Sequence, residues 1–215
     1  MTTELIPDEP VLRGRPRSAQ THDAILDAAR QVLGSEGEAR FSIERVASAA
    51  GVSKASIYRR WPTKGALLIE LYMVGLDRVI AERAGSLRVQ LKSYLTNTIK
   101  RLQDPLWRSI LRSLVAEGQY DATTAQLLRE KILVPRRASG LALLRHAESI
   151  GEIPPGVDHE IVLDMLFGPV WYRLLFEHAP LDEGLPERLL TQIDGILFPG
   201  ADTKAKNSRN RVRAS

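Results

Sequence analysis

The sequence predicts an all-α fold, and three observations carry that reading. Apolar residues recur at helical spacing along most of the chain, and alternating apolar–polar runs are absent. The β-branched residues fall inside helical periods rather than in clusters of their own. Glycines and prolines then stand where helices of ordinary length would stop.

Taken in order, a first helix runs from about Thr21, its stripe made of Ile25, Ala28, Ala29, Val32 and Leu33, and stops near Gly34 and Gly37. Ser42, after Phe41, is a good N-cap for a short amphipathic helix with Ile43, Val46, Ala47 and Ala50 that ends at Gly51. Ser53 caps a third helix with Ile57 and Trp61 on one side, and Pro62 ends it. Thr63 opens a longer fourth helix with Leu67, Leu68, Leu71 and Val74 on its apolar face. Further helices are expected near 88–102, 105–118, 122–149, 157–179 and 186–198, divided by Asp104-Pro105, Gly118, Gly151, Pro154-Pro155-Gly156, Pro180 and Pro199-Gly200. Pro135 is expected to kink the longest of them.

Composition bounds the function. With 215 residues, 44% hydrophobic and 26% charged, the chain has the make-up of a globular protein with one sizeable core, or a small domain fused to a medium one. No uncharged run exceeds eight residues, as in Val46–Ser53 and Met165–Tyr172, far short of a membrane span. Glu4, Asp8 and Glu9 with no apolar h-region do not resemble a secretory signal, so the expected compartment is the cytoplasm. Cysteine is absent, which removes disulfides, thiolate nucleophiles and cysteine-rich zinc sites. The four histidines, His22, His146, His159 and His178, are dispersed, and no nucleophile elbow, phosphate loop or dinucleotide turn is present. No enzyme activity, cofactor or metal is expected.

The net charge of +4 is unevenly spread. Between Asp202 and Arg213 five basic residues face one acid, so this tail accounts for the whole excess. Within the balanced remainder two stretches are purely basic: Arg13, Arg15 and Arg17, then Lys54, Arg59, Arg60 and Lys64. Both are candidate phosphate contacts.

Residues 43–62 give the second basic stretch a mechanical frame. Two short helices that cross steeply need a tight turn and a close contact. Gly51 tolerates positive φ at the turn, Ala47 lets the next helix approach, and Ile57 plugs the crossing. With Ile57 and Trp61 turned inward, Lys54, Ala55, Tyr58 and Arg59 lie on the outer face, which has no acid of its own. A helix of this size fits the major groove of DNA, and its N-terminus suits a phosphate.

The run Phe41-Ser42-Ile43-Glu44-Arg45-Val46-Ala47, with Gly51 to Leu68 after it, resembles the tetracycline-repressor-like (TetR) family of bacterial regulators, strongly over about residues 13–75. The resemblance implies that the third helix reads the major groove, that Tyr58 meets backbone or a thymine methyl, and that Lys64 meets phosphate. The DNA-contacting set it implies is Arg13, Arg15, Arg17, Ser42, Ser53, Lys54, Ala55, Ser56, Tyr58, Arg59, Arg60 and Lys64. Ala55 stands where the family often has glycine, and Arg60-Trp61 replaces histidine or tyrosine followed by phenylalanine. The arm around Arg13-Gly14-Arg15-Pro16-Arg17 is similar to minor-groove arms of some relatives.

A weaker resemblance to C-terminal domains of one branch of the family covers Gly151–Ile153, Gly156–Asp158 and Gly168–Leu175. It implies that the last two long helices pair with those of a partner as a four-helix bundle, with Ile161, Met165, Trp171, Leu175, Leu189, Ile193 and Ile196 at the seam. It also implies a small-molecule cavity, for which Tyr94, Trp107, Tyr120, Trp171, Tyr172 and Phe176 are candidate linings. The expected organisation is a flexible basic arm (1–18), a three-helix helix-turn-helix DNA-binding domain (19–65), a larger helical ligand-binding and dimerisation domain (66–199) and a basic, disordered tail (200–215). The expected function is a homodimeric, sequence-specific regulator, a repressor released from a pseudo-palindromic operator in double-stranded DNA by a small-molecule effector. The alternative is an architectural DNA-binding protein without an effector, which a closed core would favour.

Overall fold

A computed structural model of the chain describes residues 17–37, 40–74 and 85–199. Among the described residues all regular structure is helical. The arm before residue 17, including Arg13 and Arg15, and the tail from residue 200 lie outside them, as does the side chain of Arg17.

Helices α1 (Arg17–Glu36), α2 (Ile43–Ala50) and α3 (Lys54–Tyr58) open the chain. The caps read from the sequence form as expected. Ser42 is extended and its hydroxyl accepts from the Arg45 amide, while Gly51 closes α2 at φ 65°. That left-handed conformation suits glycine, and it lets the Gly51 and Val52 amides take up carbonyls at the end of α2. Ser53 caps α3 through the Ser56 amide. α3 ends at Tyr58, and Trp61, which as the residue before Pro62 is disfavoured in helical conformation, follows the helix rather than sitting on it. Trp61 is buried nonetheless: its indole donates to Glu70 Oε2 (2.6 Å) and its ring stacks on His22.

α4 (Lys64–Val74) starts where Thr63 Oγ1 accepts from the Ala66 amide. Leu67, Leu68 and Leu71 are buried as expected, but Val74 is 58% exposed. Ile69 and Tyr72 are buried as well, because α1 covers one side of α4 and the C-terminal helices the other.

The larger part comprises α5 (Leu87–Gln103), α6 (Pro105–Gly118), α7 (Ala122–Leu128), α8 (Val134–Ser149), α9 (His159–Phe176) and α10 (Leu185–Leu197). The single helix expected over 122–149 is α7 and α8 joined through a π-helical turn, Arg129–Leu133, whose signature is the Val134 amide bonded to the Arg129 carbonyl. Pro135 follows at once: it has no N–H to give and its ring crowds the carbonyl one turn back, so the widened turn is where the helix absorbs it. α9 stops at Glu177, a non-glycine residue at φ 50° whose carboxylate bonds Arg112 at 2.7 Å. Arg88 ties α5 to α10 through Asp194 and Glu187.

One hydrophobic cluster runs from Ile25 to Leu197. α4 contributes Leu67, Leu68, Ile69, Leu71 and Tyr72 to it and also contacts α1, α6 and α7. The helix that follows the recognition segment is therefore packed into the larger unit.

Candidate nucleic-acid interface and internal cavity

The outer face of α3 carries Lys54, Ala55, Tyr58 and Arg59, all exposed, around a buried Ile57. Lys54 Nζ lies 3.1 Å from Glu44 Oε1 of α2, so an acid does reach this face from the neighbouring helix. The Glu44 carboxyl is held below its ordinary range first by its own backbone amide and then by Lys54. Both side chains are more than half exposed, and a pair of that kind is cheap to open. Ser42, Ser53 and Ser56 are engaged in the caps, and the Arg60 guanidinium turns back to the Ser56 carbonyl at 3.4 Å.

Lys64, expected at a phosphate, is engaged elsewhere. Its ammonium pairs with Glu117 Oε1 of α6 at 2.5 Å. One residue on, a Cβ at Gly65 would meet Thr124 Oγ1 of α7 at 2.1 Å, so only glycine lets α4 and α7 approach this closely. Thr124 is itself fixed by Asp121, and Thr63 Oγ1 lies 3.2 Å from Thr124 Oγ1. The start of α4 is thus clamped to the α6–α7 corner. Neither Glu117 nor Asp121 carries a local sequence signal for this role, because the partners lie on other elements or come together only once the corner folds.

A cavity of about 260 Å³ opens among α5, α6, α8 and α9, lined by Leu102, Leu111, Leu133, Leu163, Phe167 and Val170 together with Tyr94, Thr98, Arg136, Arg137, Asp164, Gly168 and Trp171. Of the six expected lining aromatics, Tyr94 and Trp171 border this cavity. Trp107 does not: it packs against Tyr72, with the Arg101 guanidinium 4.1 Å from its ring centre. Tyr120, in the turn between α6 and α7, is 95% exposed, and Tyr172 (55%) and Phe176 (67%) point out of the protomer from the face of α9 opposite the core. Thr98, Arg136 and Phe167 were missed. Arg136 had a signal, since it interrupts the apolar stripe Ile132, Gly140, Leu144 and Ala147.

The expected seam is revised in the same way. Ile193 is 1% exposed and belongs to the protomer core. Leu189, Trp171 and Leu175 are half-buried, while Ile161, Met165 and Ile196 stand exposed. With Tyr172 and Phe176, Ile161 and Met165 form one stripe along α9 at helical spacing, stepping through Gly168.

Among the described residues no helix is long and apolar enough to cross a membrane, and no group of three candidate ligands for a metal is present.

A cap-defined helix-turn-helix with an exposed basic recognition helix, joined to a larger helical unit, defines the class: a DNA-binding regulator. Residues 25–71 match the family described as bacterial regulatory proteins, tetR family, and residues 81–193 match the tetracyclin repressor-like C-terminal domain. The chain is 33% identical to the uncharacterized HTH-type transcriptional regulator YdeS of Bacillus subtilis, over 76% of this chain and 82% of that one. It is 30% identical to the DNA-binding transcriptional repressor TetR of Mycobacteroides abscessus, over 89% and 99%. A crystal structure of a TetR family transcription regulator, 33% identical, aligns with a TM-score of 0.65 over 81% of this chain and 96% of that one. The chain belongs to the TetR family and is a DNA-binding transcriptional regulator.

Proposed function

We propose that the protein is a cytoplasmic homodimeric repressor that leaves its operator when a small molecule fills the cavity between α5, α8 and α9. In this reading Arg59, Tyr58, Ala55 and Lys54 meet the major groove, Lys54 after giving up Glu44, and Ser42 and Ser53 lie beside phosphate. Arg60 and the arm residues Arg13, Arg15 and Arg17 add phosphate or minor-groove contacts. Lys64 is reassigned from phosphate to the clamp between the two units.

The observation that carries the reading is the continuity from cavity to recognition unit. Leu133 and Arg136 line the cavity, and the π turn and α7 lead from them to Thr124, which abuts Gly65 at the start of α4. A ligand that pushes on α8 would move the corner that holds α4, and α4 follows α3 directly. The architectural alternative calls for a closed core, and the cavity counts against it.

The stripe of Ile161, Met165, Tyr172 and Phe176, with Ile196 of α10, supports a second copy as its cover. A contiguous row of exposed apolar side chains marks an interaction surface. A helix-turn-helix that reads half of a pseudo-palindrome needs a twofold mate.

The test is a thermal-shift screen followed by anisotropy titration on selected DNA. Compounds that stabilise the protein should weaken DNA binding by roughly 5- to 150-fold, the usual range of coupling energies. Binders that never alter DNA affinity would return the architectural reading.

A further inference from the structure

We infer that the cavity takes a small amphipathic carboxylate, its anionic head on Arg136 and its apolar body between Phe167 and Trp171. The assignment rests on reading this cavity as the effector site, and it adds the chemical class.

The argument starts from a charge in an apolar wall. Arg136 lies on the buried stripe of α8, and its guanidinium reaches Tyr72 Oη (3.1 Å) and Thr98 Oγ1 (3.0 Å), both on fully buried residues. Each acceptor is neutral. Thr98 Oγ1 spends its proton on the Tyr94 carbonyl at 2.9 Å, and Tyr94 Oη donates to the Arg136 carbonyl at 2.7 Å, so the site is braced before any ligand arrives. Burial pushes the Tyr94 phenol up, and it brings no negative charge to the wall.

The other arginine in the lining is paired differently: Arg137 holds both Glu160 and Asp164, which accounts for the acid there. Arg136 has no carboxylate partner among the described residues. A guanidinium has five N–H donors in a planar fork, and two are used here. The remaining donors and the uncompensated charge suit a carboxylate, which can take the fork in bidentate fashion. A neutral ligand would leave the charge unpaired as it displaced water, and a cation would be repelled. The volume, just under the usual range for ligand sites, fits one ring or a short chain.

The probes are monocarboxylates from butyrate to decanoate, plus phenylacetate and phenylbutyrate, each paired with its primary amide. Calorimetry on the full-length protein should find at least one acid that binds about tenfold or more tightly than its amide. Arg136→Met should bring the pair to parity, and Arg136→Lys should recover part of the preference. Phe167→Ala should weaken acid and amide alike. Amides that equal their acids, no acid that binds, or a preference that survives Arg136→Met would each overturn the assignment. If Arg136→Met fails to fold by circular dichroism, the acid–amide comparison on the native protein still decides. DNA anisotropy separates the two claims: an acid that binds through Arg136 yet leaves DNA affinity unchanged sinks the effector reading and keeps the ligand class. Amides that bind equally and release DNA do the reverse.

Discussion

Arg59 and Arg60 are adjacent in sequence and differ in surroundings. Arg59 is exposed on the recognition face, whereas Arg60 folds back on the Ser56 carbonyl. Arg59→Ala should therefore cost about 1–3 kcal/mol on selected DNA and relax preference at one base position. Arg60→Ala should weaken selected and random duplexes equally, and titrations on both duplexes distinguish the two. At the clamp, Gly65→Ala puts a methyl where Thr124 stands, so one helix must yield, at roughly 1–3 kcal/mol. Adding Thr124→Ala removes Oγ1 and Cγ2 from the clash, so the double variant should recover part of the loss in urea denaturation. Strictly additive losses would mean that the two residues do not press on each other. What was legible at this scale was whatever depends on nearest neighbours in sequence: the caps Ser42 and Ser53, the turn at Gly51, the plug Ile57. Glu117 and Thr124 take their meaning from partners tens of residues away, and no local pattern announces those; Arg136 shows only as a break in an apolar stripe.

Helices were read more securely than their orientations. The ends of α2, α5 and α6 fall where caps and prolines placed them, and Pro135 marked the irregularity in the long helix without revealing that it takes the form of a π turn. The inward face of each helix is another matter, because it depends on how many neighbours surround it. The family resemblance implied a subunit seam at Ile193 and a cavity at Tyr172 and Phe176, whereas α10 packs Ile193 into the protomer core and α9 leaves Tyr172 and Phe176 exposed. The docking of α10 offers a pH test. Arg88 first, then Lys92, hold the Glu187 carboxyl down at about 2, below its ordinary 4.5. A depressed carboxylate contributes stability that is full above its unfolded value and is lost as pH falls through the folded one. The stability difference between the native protein and Arg88→Met should thus be constant above about pH 5 and fade toward pH 2. A melting-temperature series across that range checks it; a difference that persists unchanged at pH 2 would show that Arg88 acts through packing alone.

At the scale of the molecule, the account joins a reading head, a clamp and a cavity, and doubles them by a twofold axis. The doubling has its own test: Tyr172→Asp with Phe176→Asp places two charges on the exposed α9 stripe and should yield monomers by light scattering, with binding to paired half-sites lost. A dimer of unchanged mass would move the interface elsewhere. The central claim is that two copies of α3 read DNA through the face that carries Arg59, and selection from a random duplex pool tests it most directly. The account predicts enrichment of inverted repeats whose half-sites are centred about one helical turn, or a multiple of it, apart. In the same selection Arg59→Ala should lose preference at one symmetry-related base pair per half-site. A pool that yields no repeat, or yields the same motif with Arg59→Ala at full information, would contradict it.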